Sequence, residues 1–171
     1  AMATGLIEGT EDDYLSYRTS QVAWLFDSLK DIGVPVFGPP GGHAVYVDAG
    51  SLLDHIPQSE FPAQSLAVEL YLEGGVRAVE IGSVMLSFIS PETGELVTPP
   101  LELIRLAIPR RTYTESHLQH VVDSFKAVVE RKESLRGLKI TKQPRLLRHF
   151  TCDFDWVENN EGIELSSLLS S

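Results

Sequence analysis

"LIRLAIPRRTYTESH", residues 103–117, sets three arginines beside an apolar run in a chain whose overall charge is negative. Leu101, Leu103, Ile104, Leu106, Ala107 and Ile108 form the kind of short apolar run that becomes a buried strand. Successive side chains of a strand point to opposite faces, so Ile104, Leu106 and Ile108 share one face while Leu103, Arg105 and Ala107 share the other. Arg105 is therefore a cation set into an apolar strand. Taking a guanidinium out of water is costly unless an anion answers it. That anion is either a carboxylate of the protein or a ligand gripped bidentately, and spacing alone leaves both open. Pro109 removes a ladder donor and ends the strand, which leaves Arg110 and Arg111 at its exit with structural pairing as their default.

Working outward from this strand, Thr114 opens a helix carrying Leu118, Val121, Val122, Phe125, Val128 and Val129 on one stripe, and "RGLKI" follows as a strand. Upstream, Leu15, Val22, Leu25, Phe26 and Leu29 have helical spacing from Asp12 until Gly33 stops the helix. "VPVFG" and "HAVYVDA" read as strands separated by the turn residues "PPGG". Ser59 is the expected cap of another helix, with Pro62 in its first turn and Gly74 and Gly75 at its end. "PETGEL" reads as a turn-rich loop and "LRHFTCDF" as a strand-like segment, in which core packing is the expectation for Phe150. The alternation predicts an α/β (α+β) fold, helices packed on a small mixed or antiparallel sheet. Residues 1–12 read as an expression scar or flexible lead, 13–155 as the domain, and 156–171 as a disordered tail.

At 171 residues the chain is long enough for one domain with a true core. The net charge of -10 argues against a nucleic-acid surface or an anionic membrane, since phosphates would be repelled at long range. Cys152 is the single cysteine, which fits a reducing, cytoplasmic setting. No apolar run approaches the roughly 18 to 20 residues of a membrane span.

His43 follows two glycines in "GGHAVYV", where it could orient a ligand or move a proton, or serve as a hydrogen-bonded structural histidine. His117 and His120 share a helix face, but two imidazoles without converging acids or cysteines make no metal site, and a solvated face is expected. Lys30 sits near a helix C-terminus, where a solvated cation is favourable, and is rejected as a catalytic lysine.

Four blocks together carry a family likeness: "YRTSQVAWLFDSLKDIGVPVFGPPGGHAVYVDA", "FPAQSLAVELYLEGGVRAVEIGS", "LELIRLAIPRRTYTESHL" and "KQPRLLRHFT". From about Tyr14 to Phe154 the chain resembles the C-terminal third of the β-eliminating lyases, the family of tryptophanase and tyrosine phenol-lyase. The resemblance implies the small domain of an aspartate-aminotransferase-like, fold-type I enzyme that uses pyridoxal phosphate as its electron sink. It implies that Arg105 grips the substrate α-carboxylate, and that His43 is an active-site histidine. Val79 and Ile81 match the two positions where the phenol-lyase has methionine and arginine, and His149 stands where the phenol-lyase has phenylalanine, with Phe150 after it. Apolar Val79 and Ile81 suit a flat indole, which implies cleavage of L-tryptophan to indole, pyruvate and ammonia.

The family's cofactor lysine and phosphate-binding residues belong to a large domain and have no counterpart here, so this chain alone is expected to be inactive. A monovalent cation and a homotetrameric parent are further implications of the resemblance. Two alternatives stand beside this reading: tyrosine phenol-lyase-like specificity, and a stand-alone, non-catalytic module that binds a ligand or partner.

Overall fold

The computed structural model describes residues 1–109, 111–144 and 147–158. Helix α1, Met2–Glu8, lies in the expected lead and buries none of its side chains. Helix α2, Asp12–Asp31, begins with Asp12 and Asp13 at its positive dipole end and buries Val22, Leu25 and Leu29, although Leu15 of the expected stripe is exposed. Gly33, at φ +81°, turns the chain out of this helix into β1, Val36–Phe37. Strand β2, Ala44–Asp48, runs back beside it and ends in the short helix α3, Ala49–Leu52, where Asp48 accepts a hydrogen bond from the Ser51 amide at 3.0 Å.

Helix α4 is Pro62–Gly74, and its cap differs from the sequence expectation. Ser59 falls within a 3-10 turn, Gln58–Glu60, and the residue before the helix is Phe61 in a left-handed conformation. Proline at the first helical position supplies a preset φ and needs no amide partner, so the helix starts without a side-chain cap. Strand β3, Val79–Ile81, and the four-residue helix α5, Ser83–Leu86, lead to a hairpin of β4, Phe88–Ile89, and β5, Leu96–Val97, whose tip is the expected "PETGEL" loop. Strand β6 is Leu103–Ala107, and α6, Glu115–Glu130, starts in a capping box between Thr114 and His117. Strand β7, Leu138–Lys142, pairs with β8, Asp153–Trp156.

Between β7 and β8 the sequence expectation of a strand-like "LRHFT" is corrected. Arg148–Thr151 forms one helical turn, α7, because Arg148 reaches across to donate hydrogen bonds to the carbonyls of Ser83 and Val84. Phe150 is 78% exposed there, so it is not a core residue.

The main sheet has the order β1-β2-β6-β3, and every pairing in it is antiparallel. Helices α2 and α4 pack on one face, and α6 packs across both of them. Ile104, Leu106 and Ile108 point into this layer beside Val45, Val47, Leu66, Leu70 and Phe125, as the parity of β6 predicts. Arg131 ties the end of α6 to α4 through Glu69 at 2.6 Å and Glu73 at 3.1 Å. Arg110 and the tail from residue 159 onward lie outside the described residues, so the expectations for them do too. No helix among the described residues is long and apolar enough to cross a membrane.

Candidate functional site

The sheet face away from the helices carries a row of side chains that sequence order conceals. Val79 of β3 pairs with Arg105 of β6, Arg105 pairs with Tyr46 of β2, and Tyr46 pairs with Phe37 of β1. Directly paired residues of antiparallel strands point to the same face, so Phe37, Tyr46, Arg105 and Val79 stand side by side. Beside this row runs a second, in which Leu103 lies between Asp48 and Ile81. Strand geometry thus gathers three of the sequence-predicted residues, Arg105, Val79 and Ile81. It adds Tyr46, whose alternation with Val45 and Val47 was readable but whose place opposite Arg105 was not.

Arg105 is half-buried, and its Nε is a buried donor without a hydrogen-bond partner. No carboxylate lies within ion-pair distance of it among the described residues. A buried, unanswered guanidinium nitrogen costs stability, commonly about 1–3 kcal/mol for a lost partner. Of the two anions that the sequence left open, a protein carboxylate is not found among the described residues.

His149 sits on α7, beside the edge strand β3. Its Nε2 is 3.7 Å from Oε2 of Glu80, and its Nδ1 is buried without a hydrogen-bond partner. Burial holds the imidazole below its ordinary pKa, while the main chain of Glu80 opposes that shift. The Phe150 ring meets it edge to face, with centroids 4.9 Å apart. The helical turn makes this contact possible; in a strand the two side chains would have diverged.

His43 is exposed and precedes β2 by one residue. Its carbonyl accepts the Ile108 amide at 2.9 Å, and the adjoining Gly42 carbonyl accepts from Arg18 at 3.0 Å, so the glycine turn is fastened from two sides. His117 caps α6, and His120 Nε2 lies 2.8 Å from the Gly74 carbonyl, which gives both a structural task. Among the described residues no set of three or more His, Cys, Asp or Glu side chains converges as a metal site. Cavities of about 490 and 530 Å³ lie elsewhere, the first beside Tyr113 and His117 and the second beside Phe61 and Phe88.

A family model described as beta-eliminating lyase matches residues 2–124. The chain belongs to the beta-eliminating lyase family. It is 53% identical over 151 residues to a tryptophanase of Salinibacter ruber, covering 88% of this chain and 32% of that protein. Against a Haemophilus influenzae tryptophanase the identity is 48% over 157 residues, 92% of this chain and 33% of the relative. A tryptophanase of Escherichia coli O157:H7 is 51% identical over 150 residues, 88% of this chain and 31% of the relative. The chain thus spans about a third of the length of these relatives.

Pyridoxal phosphate, which membership of this family suggests, needs a lysine for its aldehyde. All five lysines of this chain stand elsewhere than on the main sheet: Lys30 ends α2, Lys126 is exposed on α6, Lys132 follows α6, and Lys139 and Lys142 are exposed on β7. The open face carries no lysine and so does not fit covalent attachment of the cofactor.

Proposed function

We propose that this chain is the C-terminal small domain of a pyridoxal-phosphate-dependent, tryptophanase-like lyase, whose complete form converts L-tryptophan to indole, pyruvate and ammonia. Arg105 carries the reading: an arginine nitrogen, buried and unpartnered, in the middle of a sheet face opposite Val79. In this proposal Arg105 grips the α-carboxylate, and its bidentate geometry fixes the direction in which the rest of the substrate extends. Val79 and Ile81 offer an apolar surface to the indole, and His149 and Phe150 are the further substrate-binding residues of this reading. His43, after the glycine turn, is an active-site histidine in this reading. The apolar pair at 79 and 81 favours indole over a phenol, which would call for a cation there.

A large domain outside this chain holds the cofactor, and any monovalent cation, so the chain alone is inactive. The parent is a cytoplasmic homotetramer in this reading, and closure of the small domain excludes water from the substrate. The test is a chimera in which this chain replaces the matching third of the Escherichia coli relative. Indole release from L-tryptophan, with no product from the isolated chain, supports the proposal. Phenol release from L-tyrosine instead would assign the sister specificity. A soluble, cofactor-loaded chimera inert toward both amino acids would leave the stand-alone binding module as the better reading.

A further inference from the structure

Glu80 lies between Val79 and Ile81, so strand alternation turns it away from the open face and toward the helix layer, opposite Ile104. It is 2% exposed. A carboxylate this deep needs donors, and α5 provides two: the Val84 amide gives its proton to Oε1 at 2.9 Å, and the Met85 amide to Oε2 at 3.0 Å. The neighbouring Glu102 holds the same turn by accepting from the Ser83 amide at 2.8 Å and from the Ser83 hydroxyl. Gly82 makes room for both acids, since a Cβ there would meet Glu80 Oε1 at 2.8 Å. Arg148 clasps the turn's carbonyls from α7. The turn is thereby fastened through its amides to β3 and through its carbonyls to α7, and His149 is the next residue.

We propose that Glu80 is a positioning residue for His149: its buried carboxylate faces Nε2 and holds the imidazole in the tautomer that carries its proton there and leaves Nδ1 bare. The 3.7 Å separation from Oε2 is ion-pair distance, so the carboxylate acts through its charge, favouring a proton on the nitrogen beside it. The same logic orients metal-bound histidines through a carboxylate behind the ring. Nδ1 is the nitrogen that the protein leaves unpartnered. The ionisable groups nearest Glu80 are Glu102, which repels it, and His149 at 3.7 Å, with Arg148 bound to the carbonyls of the turn. Burial pushes the Glu80 carboxyl up to about 7, and repulsion from Glu102 adds to the rise while the α5 amides oppose it.

The consequence for activity rests on the functional reading above; the tautomer does not, and it can be read in this chain without cofactor or substrate. Nitrogen-15 spectra of the full 171-residue chain should show His149 protonated on Nε2 and bare on Nδ1 at pH 8. Glu80→Gln should mix the tautomers. Glu102→Gln, which leaves the group beside His149 in place, should keep the proton on Nε2. A wild-type His149 that carries its proton on Nδ1 overturns the proposal whether or not the E80Q chain folds. An unchanged tautomer in a folded E80Q chain does the same. In the chimera, E80Q should displace the pH profile of kcat, whereas an inert chimera with Glu80 intact and His149 correctly protonated would count against the functional reading alone.

Discussion

Ile104 and Arg105 are neighbours in β6 with opposite surroundings. Ile104 is fully buried against the helices in the continuous core, while Arg105 stands on the other face with a donor that nothing in the described chain answers. The same division runs through β2, where Val45 and Val47 join the core and Tyr46 joins the row with Arg105, and through β3, where Glu80 turns inward and Val79 and Ile81 turn outward. One face thus spends its side chains on folding. The other keeps polar and apolar groups whose arrangement adds little to the fold, which is the pattern expected of a binding surface on a rigid scaffold.

Adjacent substitutions should therefore separate stability from activity. Ile104→Ala should cost about 2–5 kcal/mol of folding stability by removing buried methyl groups and leaving a cavity. Arg105→Ala should lower kcat/KM of the chimera by a similar amount, about 2–5 kcal/mol of transition-state stabilisation, if the guanidinium meets a buried carboxylate. In urea unfolding of the isolated chain, Arg105→Met should stay within about 1 kcal/mol of the parent sequence, because an unsatisfied donor is removed with its charge. If Arg105→Met unfolds the chain, or Arg105→Ala leaves kcat/KM unchanged, the open face is not what separates these two residues.

The next largest effect belongs to Glu80, which sits on the buried side yet is ionisable. Its carboxyl holds a proton more tightly in the folded chain, at about 7 against 4.5 ordinarily. The contribution is fully present below pH 4.5 and is lost as pH rises through 7, at most about 3 kcal/mol. Urea midpoints of the wild-type chain should fall between about pH 5 and 8 relative to those of Glu80→Gln, which lacks this titration. Parallel pH profiles for the two proteins would show that Glu80 ionises without cost.

How much of this was legible in the sequence follows from the range of each interaction. The parity of residues 103–108 is local, and it separated Arg105 from Ile104 before any contact was known. The helix stripes of α2 and α6 were legible for the same reason. The pairing of Val79 with Arg105 is not local; only the family likeness drew both into one site, and the strand register now places them side by side. The turn α7 lacked any periodic signal because four residues are too few to show one, and a long-range hydrogen bond from Arg148 holds it. Glu80 was missed because an acid between two apolar residues of a short strand reads as solvent-facing. Its burial depends on the amides of Val84 and Met85, which the fold brings under it.

The smallest effect on stability should come from Ile81→Arg, and it addresses specificity. Ile81 is a half-buried side chain of the edge strand β3 on the open face, opposite Leu103 rather than in the helix layer. A long cationic side chain can lay its methylenes along that surface and keep its charged end in water, so the urea midpoint should correspond to a change within about 0.5 kcal/mol. In the chimera the same substitution should reduce kcat/KM for L-tryptophan, since the indole loses apolar contact, and should leave a competing amino acid with a phenolic ring less affected. Assaying both substrates with Ile81→Arg and with Ile81→Ala separates charge from lost contact. If Ala and Arg lower the tryptophan rate equally and neither changes the ratio between substrates, position 81 contributes area alone, and discrimination must arise from the large domain.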